Sequence, residues 1–426
     1  MSIEAYPTNL QIRRTHTAFI WTSILGVPFW GIYALLLFIL YKDLHATPFQ
    51  IATFIILKPL MSIFSIYWSA HVCKRRDRLR ANVLWAGLLA PFPFLLFPVI
   101  ESPWFIIMAS ALYMMFVRGV YPAWMEILKL NLTEEMRQKA VSYSTTISFV
   151  GGGILSLLIS YLMDVNVELW RVIFPVAAAI SILSVFFQSR IVIPPDPSPI
   201  DLPVSQPFSL NLVLSHVVNP WKRVWDLLSS RPDFRRFHFG YMLGGFGLVI
   251  VQPALPVFFI DTLNLSYTEL TTAITLCKGI AFALTSTAWS RWLRQVNIYK
   301  FSSFVALLVS IFPFLLISAQ WHLVWVFIAY LVYGVMQSGS ELNWHLAGPM
   351  FAKGEDSSVY SSVNLVVVGL RGCVAPLLGS LLVAQFSPVT VLLIGGVLSF
   401  FASWRLFSYH KQYSSGEVYG VRSIHS

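Results

Sequence analysis

The stretch LVVVGLRGCVAPLLGSLL (365–382) is lipid-soluble along almost its whole length, and the exception, Arg371, decides how the chain is read. A run of this length nearly crosses a bilayer core as a helix. A permanent charge at its middle costs about 2.5–3.5 kcal/mol on insertion scales. The segment must therefore put Arg371 against water, an anion or a carboxylate.

The rest of the chain is built the same way. Of its 426 residues 57% are hydrophobic and 11% charged, with a mean hydropathy of +0.69. A soluble domain carries about 25% charged residues, so the bilayer is the solvent these numbers imply. The formal charge of +10 would otherwise bring nucleic acid to mind. In so apolar a chain it belongs to cytoplasmic loops, and no nucleic-acid partner is expected. Cys73, Cys277 and Cys373 are odd in number and scattered, so neither a disulfide framework nor a metal site is expected. No cleavable signal pattern precedes the first apolar stretch.

Turn residues and charges mark twelve apolar segments, at 17–41, 48–72, 79–100, 103–125, 139–163, 168–189, 237–261, 267–293, 298–319, 321–346, 357–384 and 387–409. With both termini inside, the cytoplasmic pieces hold 23 of the 29 Lys and Arg. The outer loops hold only Lys42 and Arg171, and Lys58, Arg118, Lys278 and Arg371 lie within segments. That asymmetry sets the even count and the orientation. The proline-rich RIVIPPDPSPIDLPVSQP (190–207) reads as an extended linker. In 209–237, Val217, Trp221, Val224 and Leu228 fall at helical spacing beside Lys222 and Arg223. Such a helix either lies on the cytoplasmic membrane face or packs under the bundle. The predicted organisation is a bundle over 1–189, a cytoplasmic linker over 190–236, and a second bundle with a short tail over 237–426.

The halves repeat weakly. LHATPFQIATFIILKPL (44–60) matches LNLSYTELTTAITLCKGI (263–280), and SYSTTISFVGGG (142–153) matches VYSSVNLVVVGLRG (359–372), at the nearly constant shifts of 219 and 217 residues. A constant shift across both halves argues for two six-helix repeats.

The sequence here resembles the major facilitator superfamily over nearly its whole length. VRGVYPAW (117–124) is similar to the family's Arg-Gly-then-Pro pattern in helix 4, and Arg137 follows where the family keeps an Arg. GGG (151–153) sits in the glycine-rich part of helix 5, and GCVAPLLG (372–379) resembles the Gly-xxx-Pro-xx-Gly signature. YWSAHVCKRRDRLR (67–80) departs from the pattern: it keeps the cations, lacks the two glycines, and has His71 near the usual Asp. WSRWLRQ (289–295) is degenerate too. The resemblance implies an all-α protein of twelve transmembrane helices in two pseudo-symmetric six-helix bundles. It also implies a monomeric secondary transporter working by alternating access, with no cofactor.

The candidate site follows from the charges. Four cations at hydrocarbon depth would cost on the order of 10 kcal/mol if left bare. Ser357, Asn364 and Arg371 recur every seven residues and so share a face, whereas Gly369, Gly372 and Gly379 lie on another and permit close helix packing. Arg371 either contacts ligand or forms a structural ion pair with Glu341. Gln337, Glu341 and His345 follow at i, i+4, i+8. Glu341 and His345 are candidates for proton coupling, Glu341 through burial and His345 through its near-neutral titration. Trp344 either stacks on a ring-bearing solute or anchors a helix end. Lys58 and Lys278 sit at matching depth in the second and eighth segments, too deep for snorkelling. Arg118 either binds directly or orients other groups, and Glu126 reads as solvated. Substrate-binding candidates are thus Lys58, Arg118, Lys278, Gln337, Glu341, Trp344, Asn364 and Arg371.

Four cations against one deep carboxylate favour an anionic solute. The first and seventh segments carry no interior acid, which argues against proton symport seated there. A coupling proton or a counter-solute stays open. The competing readings are an exporter of amphipathic compounds, a non-transporting receptor, and a membrane-embedded enzyme. The last lacks His-Glu-x-x-His, Gly-x-Ser-x-Gly or a paired carboxylate within a span. The expected location is a plasma or inner membrane.

Overall fold

A computed structural model describes residues 8–72, 76–194, 222, 224–352 and 357–414. The described residues are helical over most of each predicted apolar segment. Ten of their helices are long and apolar enough to cross a membrane. Pro48–Ser62 is a shorter apolar stretch within the helix of the second segment, and the 29-residue Val324–Ala352 is about 44 Å long at 1.5 Å per residue.

The first segment starts earlier than predicted and is broken: α1 (Asn9–Tyr33) and α2 (Leu36–Lys42). Thr8 and Gln11 form a capping box at its start, which is why the helix begins before the apolar run. Next come α3 (Pro48–Val72) and α4 (Arg76–Leu89). The predicted third segment continued to 100, but Pro91 and Pro93 turn it into a 3-10 stretch at Phe92–Leu96. The fourth and fifth segments are α5 (Pro103–Asn131) and α6 (Glu134–Val165), the latter capped by Thr133. Trp170–Ile182 (α7) and Ser184–Gln188 (α8) make the sixth.

The seventh segment is α9 (Pro232–Ile250), which opens on a proline at its first position. It is followed by α10 (Ala254–Val257) and a π turn, Phe258–Thr262. The eighth is α11 (Tyr267–Thr271), a second π turn at Thr272–Cys277, and α12 (Lys278–Leu293). The remaining four are α13 (Ile298–Ser318), α14 (Val324–Ala352), α15 (Ser357–Gln385) and α16 (Pro388–Ser414). The linker 190–207 and the helix predicted in 209–237 lie largely outside the described residues, although 224–230 are helical. Of the cation cluster in 67–80, Lys74 and Arg75 also lie outside them, as do the side chains of His71 and Arg76.

The chain divides into two compact units, Met1–Val204 with Ser266–Thr271, and Ser205–Leu265 with Thr272–Ser426. Each packs the same pairs of segments. The first touches the fifth and sixth, the second touches the fourth, and the third touches the fourth and sixth. Glycines permit the closest crossings. In the first unit Gly31 faces Gly152, and Ser156 Oγ donates to the Gly31 carbonyl. In the second, a methyl at Gly379 would overlap the Ile250 carbonyl, so the eleventh segment does pack by a glycine. Val150, Ile154, Leu158, Tyr161 and Val165 form an exposed stripe on α6. Apolar side chains on the surface of a helix whose backbone bonds are satisfied internally are compatible with contact to lipid.

Candidate functional site

The second unit gathers most of the predicted residues. Arg371 on α15 lies over the Tyr241 ring of α9, 5.6 Å from its centroid, and Nη1 donates to the Tyr241 carbonyl at 3.3 Å. Gly245, one turn on, makes room for the guanidinium, which a methyl there would overlap. The Nε is buried without a partner. Among the described residues no carboxylate stands within 4.0 Å of Arg371, so the structural ion pair with Glu341 is not formed. The Glu341 side chain on α14 is instead 48% exposed and 3.7 Å from His345 Nε2. The burial invoked for Glu341 is therefore absent here, and only its pairing with a titratable neighbour remains.

Around Arg371 lies a small cavity of about 50 Å³, lined also by Tyr241, Ser302, Ser340 and Asn343. Asn343 is 1% exposed. Its Oδ1 accepts from Ser302 Oγ at 2.9 Å, and its Nδ2 has no partner. A guanidinium with an unpartnered Nε, and one unpartnered amide donor beside it, make a positive, donor-rich site. It has room for one or two water-sized groups.

Lys278 begins α12 straight after the π turn Thr272–Cys277, and π turns of this kind often mark functional positions. It faces the Tyr333 ring at 5.9 Å. Tyr333 continues the ladder of Gln337, Glu341 and His345 one turn back. The ladder's i, i+4 spacing was thus the signal that could have found it. Gln337 and Trp344 are partly buried. Asn364 is 2% exposed, and its Nδ2 donates to the Trp344 carbonyl at 3.0 Å. This fixes α15 to α14 and leaves Oδ1 unpartnered. The side chain of Ser357 lies outside the described residues.

Just before α9, Arg231 binds both oxygens of Asp233 (3.2 and 3.1 Å), the Tyr360 hydroxyl (2.6 Å) and the Phe351 carbonyl (3.1 Å). Sequence reading passed over this hub, because Arg-Pro-Asp in a basic loop looks unremarkable.

In the first unit Lys58 is exposed on α3, one residue before a proline that interrupts the helix bonding. Arg118 is partly buried on α5, its Nε without a partner. None of the four cations is wholly sealed in the protein. The same unit contains a partly open cavity of about 250 Å³, lined by Phe19, Trp30, Tyr113, Tyr121, Trp124 and Gln188, with none of the predicted cations in its wall. At its Lys42 end, Asp164 accepts from the backbone N–H of Tyr267 (2.7 Å) and Thr268 (2.9 Å). The Tyr267 hydroxyl donates to Asp43 at 2.7 Å. Burial pushes the Asp43 carboxyl above its ordinary range, with Tyr267 and Lys42 opposing. Among the described residues no group of His, Cys, Asp and Glu is arranged to hold a metal.

No curated protein is significantly similar in sequence. Solved structures share the fold. A POT family transporter in complex with 5-aminolevulinic acid superposes with a TM-score of 0.70 at 12% identity, covering 94% of this chain and 96% of that one. The nucleoside transporter NupG gives 0.61 at 13%, covering 94% and 99%. A bacterial homolog of the human lysosomal transporter Spinster, inward-facing and unoccupied, gives 0.60 at 13%, covering 95% and 99%. The family model for the Major Facilitator Superfamily matches residues 18–376. The chain therefore belongs to the Major Facilitator Superfamily, as a multi-pass secondary transporter and not an enzyme.

Proposed function

We propose that the protein moves a small organic anion by alternating access. The supporting observation is Arg371: a guanidinium on a membrane helix, its Nε unpartnered and no carboxylate within reach among the described residues. A charge kept so deep without a counter-charge is retained for an ion that comes and goes. Lys278 supplies a second cation in the same unit, and Lys58 and Arg118 supply the positive field of the other. Gln337, Trp344 and Asn364 line or support the solute's path. Rocking of two six-helix units exposes such groups to each side in turn. Both termini lie in the cytoplasm, with 190–236 as a cytoplasmic linker, in a plasma or inner membrane, and the transporter works as a monomer.

Counterflow in liposomes tests this, using a carboxylate solute series against the matching neutral amides. Faster exchange of carboxylates supports the reading, and exchange indifferent to charge overturns it. Saturable binding without counterflow would favour a receptor. Glu341 and His345 are the proposed coupling pair. Glu341→Gln is expected to flatten the pH dependence of uptake. An unchanged profile removes Glu341 from coupling.

A further inference from the structure

The 250 Å³ cavity of the first unit is set apart from the cations and has its own chemistry. Five rings, those of Phe19, Trp30, Tyr113, Tyr121 and Trp124, supply its walls, and no residue of formal charge lines it. Phe19 and Trp124 meet edge to face at 5.4 Å, and Trp30 and Tyr113 at 5.6 Å, so the walls are fixed by their own packing.

One polar group is held in this wall at a cost. Gln188 closes α8 and is 2% exposed. Its Nε2 donates to Thr22 Oγ1 at 3.2 Å and Ser184 Oγ at 3.1 Å. The Oε1 is buried with no partner. Glycine at 87 gives that oxygen its space, since a Cβ there would stand 2.6 Å away. A buried acceptor left bare loses its hydration and gains nothing in return, unless a ligand restores the bond.

We infer that this cavity binds a small, uncharged, ring-bearing molecule that presents an N–H or O–H donor to Gln188 Oε1 while its ring lies among Trp30, Tyr113 and Trp124. Room is sufficient: benzene fills an apolar cavity of about 150 Å³, so a bicyclic ring fits in 250 Å³. A charged ligand is disfavoured by a wall without counter-charge. The inference stands apart from the anion reading, because it uses other residues and the opposite charge preference.

Indole and benzofuran make the test, being alike in shape with only indole carrying a donor. Equilibrium dialysis of the purified full chain in detergent, corrected for protein-free micelles, measures both. The wild type is expected to bind indole saturably and at least tenfold more tightly than benzofuran, since a site built around one hydrogen bond rejects the analogue that lacks it. Gln188→Met should bring the two within twofold of each other. Gly26→Leu fills the cavity from a position where a Cβ meets nothing within 4 Å, and should abolish indole binding. Binding no greater than to micelles, equal affinity of the wild type for the two rings, or a preference surviving in Gln188→Met would overturn the proposal. So would indole binding unchanged by Gly26→Leu.

Discussion

Two arginines of the second unit show opposite ways of keeping a cation inside a membrane protein. Arg231 has both carboxylate oxygens of Asp233, a tyrosine hydroxyl and a carbonyl. Arg371 has one long bond to a carbonyl, the face of a tyrosine ring, and an Nε bound to nothing. The first has four of its five N–H groups engaged by protein acceptors. The second is under-bonded beside a cavity whose other amide donor, Asn343 Nδ2, is also unused. Partner count therefore separates a cation that holds the fold from one reserved for an ion in transit, where depth in the sequence alone does not.

Substitutions sharpen this contrast. Arg231→Ala removes both Arg231 bonds from Asp233, which is 5% exposed, and breaking one side of a buried pair costs about 3–5 kcal/mol. Thermal unfolding and folded yield should collapse, while transport per folded molecule survives. Arg371→Ala should do the reverse. Removing an under-bonded charge costs little stability, whereas uptake of the anion is expected to fall by about 100-fold, about 2.7 kcal/mol of lost interaction. Equal losses of yield and uptake for Arg371→Ala would erase the difference between the two arginines.

A smaller effect is expected at Gly245, where a methyl displaces the flexible end of Arg371 and not its backbone. Gly245→Ala should slow uptake by about tenfold, with unfolding shifted by less than about 1 kcal/mol. The smallest concerns a partly buried acid beside a cation. The Asp43 carboxyl is raised by burial. A raised acid is favoured protonated in the fold, so its contribution is best at low pH and declines as pH rises through the raised value. Asp43→Asn should remove that decline, seen as a flatter unfolding temperature above pH 4, and keep an acceptor for the Tyr267 hydroxyl.

How much of this was legible beforehand follows the same physics. Hydropathy and the placement of Lys and Arg exposed the twelve segments, because lipid forbids most alternatives. The ends of the helices were less visible. Polar first turns such as Asn9–Gln11 and Glu134–Lys139 are helical through capping, not through hydrophobicity. Proline pairs announced a break near 91–93 but not that it becomes a 3-10 turn. Charges at depth stand out, so Arg371 and Lys278 are candidates from the sequence alone. The tyrosines beneath them, Tyr241 and Tyr333, were missed, since aromatic residues are common on lipid-facing helices. The aromatic cavity was missed for a further reason: its wall is assembled from five stretches between Phe19 and Gln188, each ordinary alone. The supposed Arg371–Glu341 pair failed because opposite charges on neighbouring helices need not share a face. Glu341 turns towards His345 instead.

The most direct test of the central claim is the counterflow selectivity between a carboxylate solute and its neutral amide, in wild type and in Arg371→Gln. A strong preference for the carboxylate in the wild type, falling to a ratio near one in Arg371→Gln with unfolding unchanged, is the predicted result. A ratio that the substitution leaves intact would contradict it and return Arg371 to a purely structural role.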